Sequence, residues 1–415
     1  MVVNTSADPA AKQLDVVVFG GGAAGLWLLD ELRRTGRNAL LLESAAMGSG
    51  QTVASQGILH GGMKYALQGV LTGSAAGVSD MPHVWRAALA GRGGPDLRGT
   101  RIRSEWCYLW RTETMRSKLG MMGARVGLKI TPALVRSQDR PKVLARCPGL
   151  VARIDEQVIA PASFVGDLAA KHRGQILKID AADGLDFRVV DPGQVQTIRL
   201  MHPQTRDVLQ LAPRQVVFAA GGGNAELRRR VGLQDAAMQR RPLHMVMLRG
   251  NLPALNGHCV DGTQTRVTVT SDLDQVGRMV WQVGGQIAEH GVDRDPDSLI
   301  RQTRDELHAV LPGLDLSSAE WATYRVDRAE KKMPKGRRPD TAQIISEGNT
   351  ITAWPTKLVL APQLAQDVAT RIGQTSRMGG GDTAILDWPS PEVAQPPWQT
   401  CQTWARLEQQ LRRAA

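Results

Sequence analysis

DVVVFGGGAAG (residues 15–25) and the NALLLES (38–44) that follows it decide how this chain folds. The apolar run Val16 to Phe19 is β-branched and too short for a helix, so it reads as a buried parallel strand. Gly20 permits a tight turn and Gly22 lets the backbone approach a pyrophosphate. Gly25 lets a helix from Ala23 to about Arg34 pack closely on the strand. That helix begins with Ala23 and Ala24 and points its first N–H groups at the phosphates. Glu43, closing the next strand, can accept hydrogen bonds from adenosine ribose hydroxyls, and its charge disfavours a 2′-phosphate and so NADP. Strand, helix, second strand and acid in this order predict a dinucleotide-binding βαβ unit.

Composition sets the outer bounds. The chain has 415 residues, 42% hydrophobic and 22% charged, as expected of a soluble protein with room for two domains. No window reaches a membrane-spanning length, and the opening MVVNTSADPAAKQL has no secretory pattern, which points to the cytoplasm. Cys107, Cys147, Cys259 and Cys401 are scattered, so neither a metal site nor a disulfide framework is expected. The net charge of +11 suits an anionic substrate, an acidic membrane surface or nucleic acid. The densest basic run, Lys331 to Arg338, is broken by Pro334 and Gly336 and reads as a solvated loop, with anion recruitment as the alternative. It holds no interleaved aromatic residues, which argues against a nucleic-acid groove.

Further along, a short helix is expected from about Ser79 to Leu89, and RIRSEWCYLWR alternates as one strand with Ile102, Ser104, Trp106, Tyr108 and Trp110 on one face. Helices are expected over 162–173, 299–311 and 361–372, and strands over 175–179, 196–201 and 215–219. VVFAAGGGNAEL imitates the first glycine motif, but no acidic residue closes a following strand; it reads as a turn within one cofactor domain. Residues 245–283 are β-rich and suit an antiparallel sheet. Trp398, Trp404, Leu407 and Leu411 suggest a closing helical stripe that docks on the body, although Arg412 and Arg413 also permit contact with a membrane interface.

Four segments in order resemble one family: the opening motif with Glu43, QTVASQGILHGGMKYAL, VVFAAGGGNAEL and ITAWPTKLVLAPQLAQDV. The chain resembles the FAD-dependent oxidoreductases of the D-amino-acid-oxidase superfamily, and within it glycerol-3-phosphate dehydrogenase and related 2-hydroxy-acid oxidases. The resemblance implies an α/β fold: a glutathione-reductase-type, Rossmann-like FAD domain (12–90, 148–235 and 345–390) interleaved with an α+β substrate domain on an antiparallel sheet (91–147 and 236–344). Residues 391–415 would form a tail with a short helix. It also implies FAD contacts at Ser44, Ser55, Gln56, Gly57, His60, Gly61, Ala220, Gly221, Thr356, Lys357 and Leu358, beside those of the first motif.

Carried over position by position, Lys64 and Tyr65 match the substrate-facing Arg and Tyr of the family's Ile-His-Gly-Gly-Leu-Arg-Tyr signature. Lys357 matches the lysine beside the flavin and His244 a histidine of a Gly-Ser-His segment. Arg325 matches a substrate arginine, with Arg328 and Arg338 as competing alignments. Pro355 and Thr356 stand where the family has two glycines. The implied chemistry is removal of a hydride from a small anionic alcohol or amine, such as glycerol 3-phosphate, a 2-hydroxy acid or an amino acid. Lys64 and Arg325 would hold the anion, His244 would act as base, and Lys357 would offset charge on the reduced cofactor. His60 would shape the backbone over the flavin ring or carry a covalent link. The electron acceptor, whether oxygen, a quinone or a carrier protein, leaves no local motif. Two other readings are a nicotinamide-dependent dehydrogenase and an RNA-associated flavoprotein.

Overall fold

The structure, a computed structural model, describes residues 11–61, 80–112, 132–261, 264–373 and 384–406. Lys64 and Tyr65, together with Leu407 and Leu411, lie outside the described residues. The opening unit forms as its sequence dictates: strand β1 (Lys12–Phe19), helix α1 (Ala23–Arg34) and strand β2 (Ala39–Glu43). β1 pairs in parallel with β2 on one side and with Val208–Phe218 on the other. Thr350–Trp354 continues the parallel sheet beyond Val208–Phe218, and Ile176–Lys178 continues it beyond β2. The strand that leads into VVFAAGGG is therefore itself a neighbour of β1, which makes that second glycine cluster a turn of the same cofactor sheet.

Both faces of this sheet are covered, which is why its strands read as unbroken apolar runs. On one face Trp27 of α1 packs edge-on against Trp85, and both meet Phe164 of helix Pro161–Lys171. Helix Ala361–Ile372 closes the same layer. On the other face Phe19, Phe187 and Phe218 cluster beneath the antiparallel pair Leu185–Asp191 and Gln194–Met201.

A second, largely antiparallel sheet has nine strands among the described residues. Its centre is the long pair Met238–Gly250 and Glu320–Lys331, extended through Met279–Gly284, Gln264–Leu273 and Gly257–Asp261. Helix Pro296–Val310, started by the Asp295 carboxylate accepting from the Ser298 amide, buries Leu299, Ile300 and Leu307 against it.

Two expectations are corrected. RIRSEWCYLWR is not one strand: Ile102–Ser104 pairs with Val158–Ile159, while Cys107–Trp110 enters the second sheet. The break turns Trp106 outward, 38% exposed beneath the Arg153 guanidinium, and buries Cys107 instead. Among the described residues the closing stripe is a single turn, Pro397–Thr400, that buries Trp398; the chain then pairs as Ala405–Arg406 with the edge of Glu320–Lys331. No helix among the described residues is long and apolar enough to cross a membrane.

The loop after β2 ties the two sheets together. The Gln56 amide donates to the carbonyls of Thr268 and Gln282, and the Tyr324 hydroxyl donates to the Ala54 carbonyl. The Ala329 amide donates to Gln51 Oε1.

Candidate active site

A cleft of about 810 Å³ runs from the end of β2 across the start of α1 to Lys357. Gly20, Gly22, Ala23, Ala24, Glu43, Ser44, Ser55, Ala220, Gly221, Lys357 and Leu358, all expected at the cofactor, line it. Gly20 holds φ +108°, and a Cβ there would fall 2.5 Å from the Ala220 Cα. Gly25 sits under the turn rather than in the cleft: a Cβ on it would lie 1.9 Å from the Gly20 carbonyl oxygen, so only glycine allows α1 to approach β1. The first turn of α1 carries no acidic residue, and although the Thr52 hydroxyl accepts from the Ala23 amide at 3.1 Å, among the described residues no charged group neutralises its positive end, which suits an anion. Glu43 accepts from the amides of Gly21 and Ala45 at 2.7 Å each, so its carboxylate is fixed at the head of the cleft.

At its far end the cleft opens into a cavity of about 680 Å³, and Gln51, Ala54, Ser55, Val326, Lys357 and Leu358 line both. Lys357 is 6% exposed, with Nζ 3.5 Å from the Asp340 carbonyl. It stands immediately before the turn that starts helix Ala361–Ile372. Next to it Thr356 adopts φ +60°, a left-handed conformation that is costly for a β-branched residue. This is where the resembled segment has a glycine. Thr356, Gln56, Gly57 and His60 line the cavity rather than the cleft, and the Gly61 amide donates to Glu156.

Strand register decides which charged side chains reach the cavity. Across the pair Met238–Gly250 and Glu320–Lys331, Arg241 faces Arg328, Leu243 faces Val326 and Met245 faces Tyr324. These alternate residues share a face, and Arg241, Leu243, Met245, Val326 and Arg328 line the cavity. His244 and Arg325, directly opposite one another, belong to the other face. His244 is buried with Nδ1 3.1 Å from the Gly291 carbonyl, and burial, then the Arg325 charge, pushes its pKa below the usual value. Arg325 is exposed and donates to the carbonyls of Val292 and Arg294. Arg325 lines the cofactor cleft, whereas His244 lines neither space; in the cavity beyond, the arginines are Arg328, one of the competing alignments, and Arg241. The period-2 pleat puts neighbours in sequence on opposite faces.

Arg338, from the basic run read as a solvated loop, also lines the cavity. Like charges directly opposite in a sheet repel. Here Glu330, fully buried, accepts from Arg241 at 2.9 Å, and Glu289 accepts from Arg328 at 3.0 Å. Burial, then Arg241, lowers the Arg328 pKa. Among the described residues, Nη2 of Arg241 is buried without a hydrogen-bond partner.

Of the histidines expected to act, the one in the cavity wall is His60. Its Nδ1 lies 3.1 Å from Glu156 Oε2, and Glu156 also stands 3.4 Å from His258 Nε2. Sequence reading passed over Glu156, His258 and Arg241. Glu156 and His258 have no local signal, but Arg241 lay in view beside His244 and only the pleat told them apart.

The family model for DAO, FAD dependent oxidoreductase, matches residues 15–355. The chain belongs to this family. This DAO-family protein is 39% identical over 396 residues to "Probable FAD-dependent oxidoreductase PA4991" of Pseudomonas aeruginosa, covering 94% of this chain and 99% of that one. The crystal structure of PA4991 superposes with a TM-score of 0.78 at 36% identity over the same shares of the two chains. Glycine oxidase from Geobacillus kaustophilus superposes at TM-score 0.60 and 16% identity, covering 93% of this chain and 99% of that one. The L-α-glycerophosphate oxidase of Mycoplasma pneumoniae, solved with FAD bound, gives 0.60 at 13%, covering 95% and 100%. These last two share the fold. FAD is the cofactor of this DAO-family enzyme, and the glycine cradle, the start of α1 free of acidic residues and Glu43 fit it.

Proposed function

We propose that this DAO-family enzyme oxidises a small anionic alcohol or amine held in the cavity beyond the cofactor cleft. The observation that carries this reading is the pairing of Arg241 with Arg328 across two strands on the cavity wall, with Arg338 beside them. Glu330 and Glu289 each pair with one of these guanidinium groups, and a carboxylate or phosphate in the cavity adds a further anion to the cluster, because the planar guanidinium donates to two oxygens at once. FAD, when bound, accepts the hydrogen and electron pair leaving the substrate carbon. His60 takes the proton from the substrate hydroxyl or amine. Lys357 and the N-terminal end of helix Ala361–Ile372 set a positive field where cleft and cavity meet.

Glycerol 3-phosphate, 2-hydroxy acids and amino acids all carry the required anion next to an oxidisable carbon. The test is a panel of these compounds, each paired with an uncharged counterpart such as glycerol or the methyl ester. The readout is anaerobic bleaching of the bound flavin near ~450 nm. Reduction by an anionic member and not by its neutral counterpart is the expected result. Equal reduction by both would overturn the reading.

A further inference from the structure

Three residues from distant parts of the chain meet behind the cavity wall. Glu156 follows strand Val151–Ile154, His258 lies in strand Gly257–Asp261, and Cys107–Trp110 runs between these two strands. His60 is drawn to them by a bridge from Ile58 to Val158 and by the Leu59 amide donating to the Gln157 carbonyl at 2.9 Å. The Glu156 side chain is 2% exposed. Its Oε1 accepts from the Gly61 amide at 2.8 Å, and its Oε2 faces His60 Nδ1 at 3.1 Å and His258 Nε2 at 3.4 Å. On the far side, His258 Nδ1 lies 2.9 Å from the Thr268 hydroxyl.

These contacts fix where protons sit. An ionised carboxylate only accepts, so each ring nitrogen turned toward Glu156 carries hydrogen. Neutral His60 is then protonated at Nδ1 and keeps its lone pair on Nε2. His258 Nε2, at 3.4 Å, approaches Glu156 less closely than His60 does, and its Nδ1 meets the Thr268 hydroxyl. Burial alone would raise the Glu156 carboxyl; the charges and hydrogen bonds of His60 and His258 outweigh it and hold it well below the ordinary carboxylate range. Cys107 is the other titratable group packed near Glu156, its thiol pushed up first by burial and then by that carboxylate, with Arg103 opposing. Across the cavity His60 shares the space with Arg241, Arg328, Arg338, Lys357, Glu289 and Asp340.

We propose that Glu156, backed by His258, is the positioning group of the active site: it pins hydrogen on His60 Nδ1, presents Nε2 to the substrate and stabilises the imidazolium that forms. This rests on the reading of His60 as the proton acceptor. In the step itself the substrate O–H or N–H bond breaks, the Nε2–H bond forms, and the positive charge that results is shared with a carboxylate already in place. The Nδ1 proton stays where it is.

The test uses the FAD-loaded full chain with ring-¹⁵N histidine, as wild type and as Glu156→Gln, which keeps the shape and the acceptor for the Gly61 amide. Wild type is expected to show His60 as the Nδ1–H tautomer. In Glu156→Gln the His60 titration should move to lower pH, since an adjacent opposite charge is lost. The acid limb of anaerobic flavin reduction should move with it to lower pH. The plateau rate should drop at least about tenfold while KM stays within about twofold. A wild-type His60 protonated at Nε2, or a His60 titration unmoved by the substitution, would overturn the proposal without needing the variant to turn over. So would a stoichiometric divalent metal in the purified wild type, because the three side chains would then be ligands. If His60→Gln kept the wild-type rate while Glu156 still governed the His60 tautomer and titration, the base assignment would fall alone.

Discussion

Arg328→Ala is expected to lower the second-order rate of flavin reduction by the true substrate about 10²–10³-fold, while Arg325→Ala stays within about twofold of wild type. The contrast isolates the pleat. Both arginines lie on strand Glu320–Lys331, three positions apart, and the sequence reading prefers Arg325 with Arg328 as a competing alignment. Arg328 stands opposite Arg241 on the cavity wall, whereas Arg325 spends its guanidinium on two backbone carbonyls. Removing one partner of a desolvated charge-assisted contact costs about 2–5 kcal/mol, most of it in substrate affinity. Arg328→Lys should recover only part of the loss, because an ammonium cannot reproduce two parallel hydrogen bonds. Stopped-flow reduction under anaerobic conditions measures all three variants. Equal losses in the Arg325 and Arg328 variants would mean that the strand register described here is wrong.

His60→Gln should slow the chemical step by about 10²–10⁴-fold with FAD still bound, the usual range for removing a general base. The effect belongs in the limiting rate of flavin reduction and leaves substrate affinity close to wild type, since the arginines hold the anion. The pH profile gives a second check. A base must be neutral to accept a proton, so in wild type the rate should rise as pH climbs through the His60 titration and then level off. Glu156 faces His60 Nδ1 and favours the imidazolium, so removing its charge should carry that rise to lower pH. In His60→Gln the rise should vanish. A variant that keeps both the wild-type rate and the wild-type acid limb would remove His60 from the reaction.

What sequence made legible was what is local. The βαβ unit announces itself through spacing within a few dozen residues, and α1 spans Ala23–Arg34 as expected because a glycine turn starts it and no breaker interrupts it. Helix Ala361–Ile372 and strand Thr350–Trp354 were equally plain, the first from Pro362 in its opening turn, the second from a β-branched run ending at Pro355. Lys357 lies between them, and it was the family resemblance that singled it out for the cofactor. The substrate side was harder for a definite reason. Its residues come from strands whose neighbours are far away in sequence, and which face a side chain takes depends on pairing that no short stretch records. Arg241 and His244 were visible together in RRPLH, yet the first reaches the cavity and the second the opposite core. Glu156 and His258 become neighbours only through the strand between them, and neither carries a local pattern. RIRSEWCYLWR misled because strict alternation hid a kink between two different sheets.

The stitches made by Gln51, Ala54 and Gln56 have a mechanical consequence. A molecule whose two lobes met only through a linker could open like a jaw to admit its ligand and shut for chemistry. Here the same short loop borders the cofactor cleft and is anchored to three strands of the opposite sheet, so widening the gap would tear its hydrogen bonds while distorting the cleft itself. Separating the halves would therefore cost four hydrogen bonds before any ligand gained room.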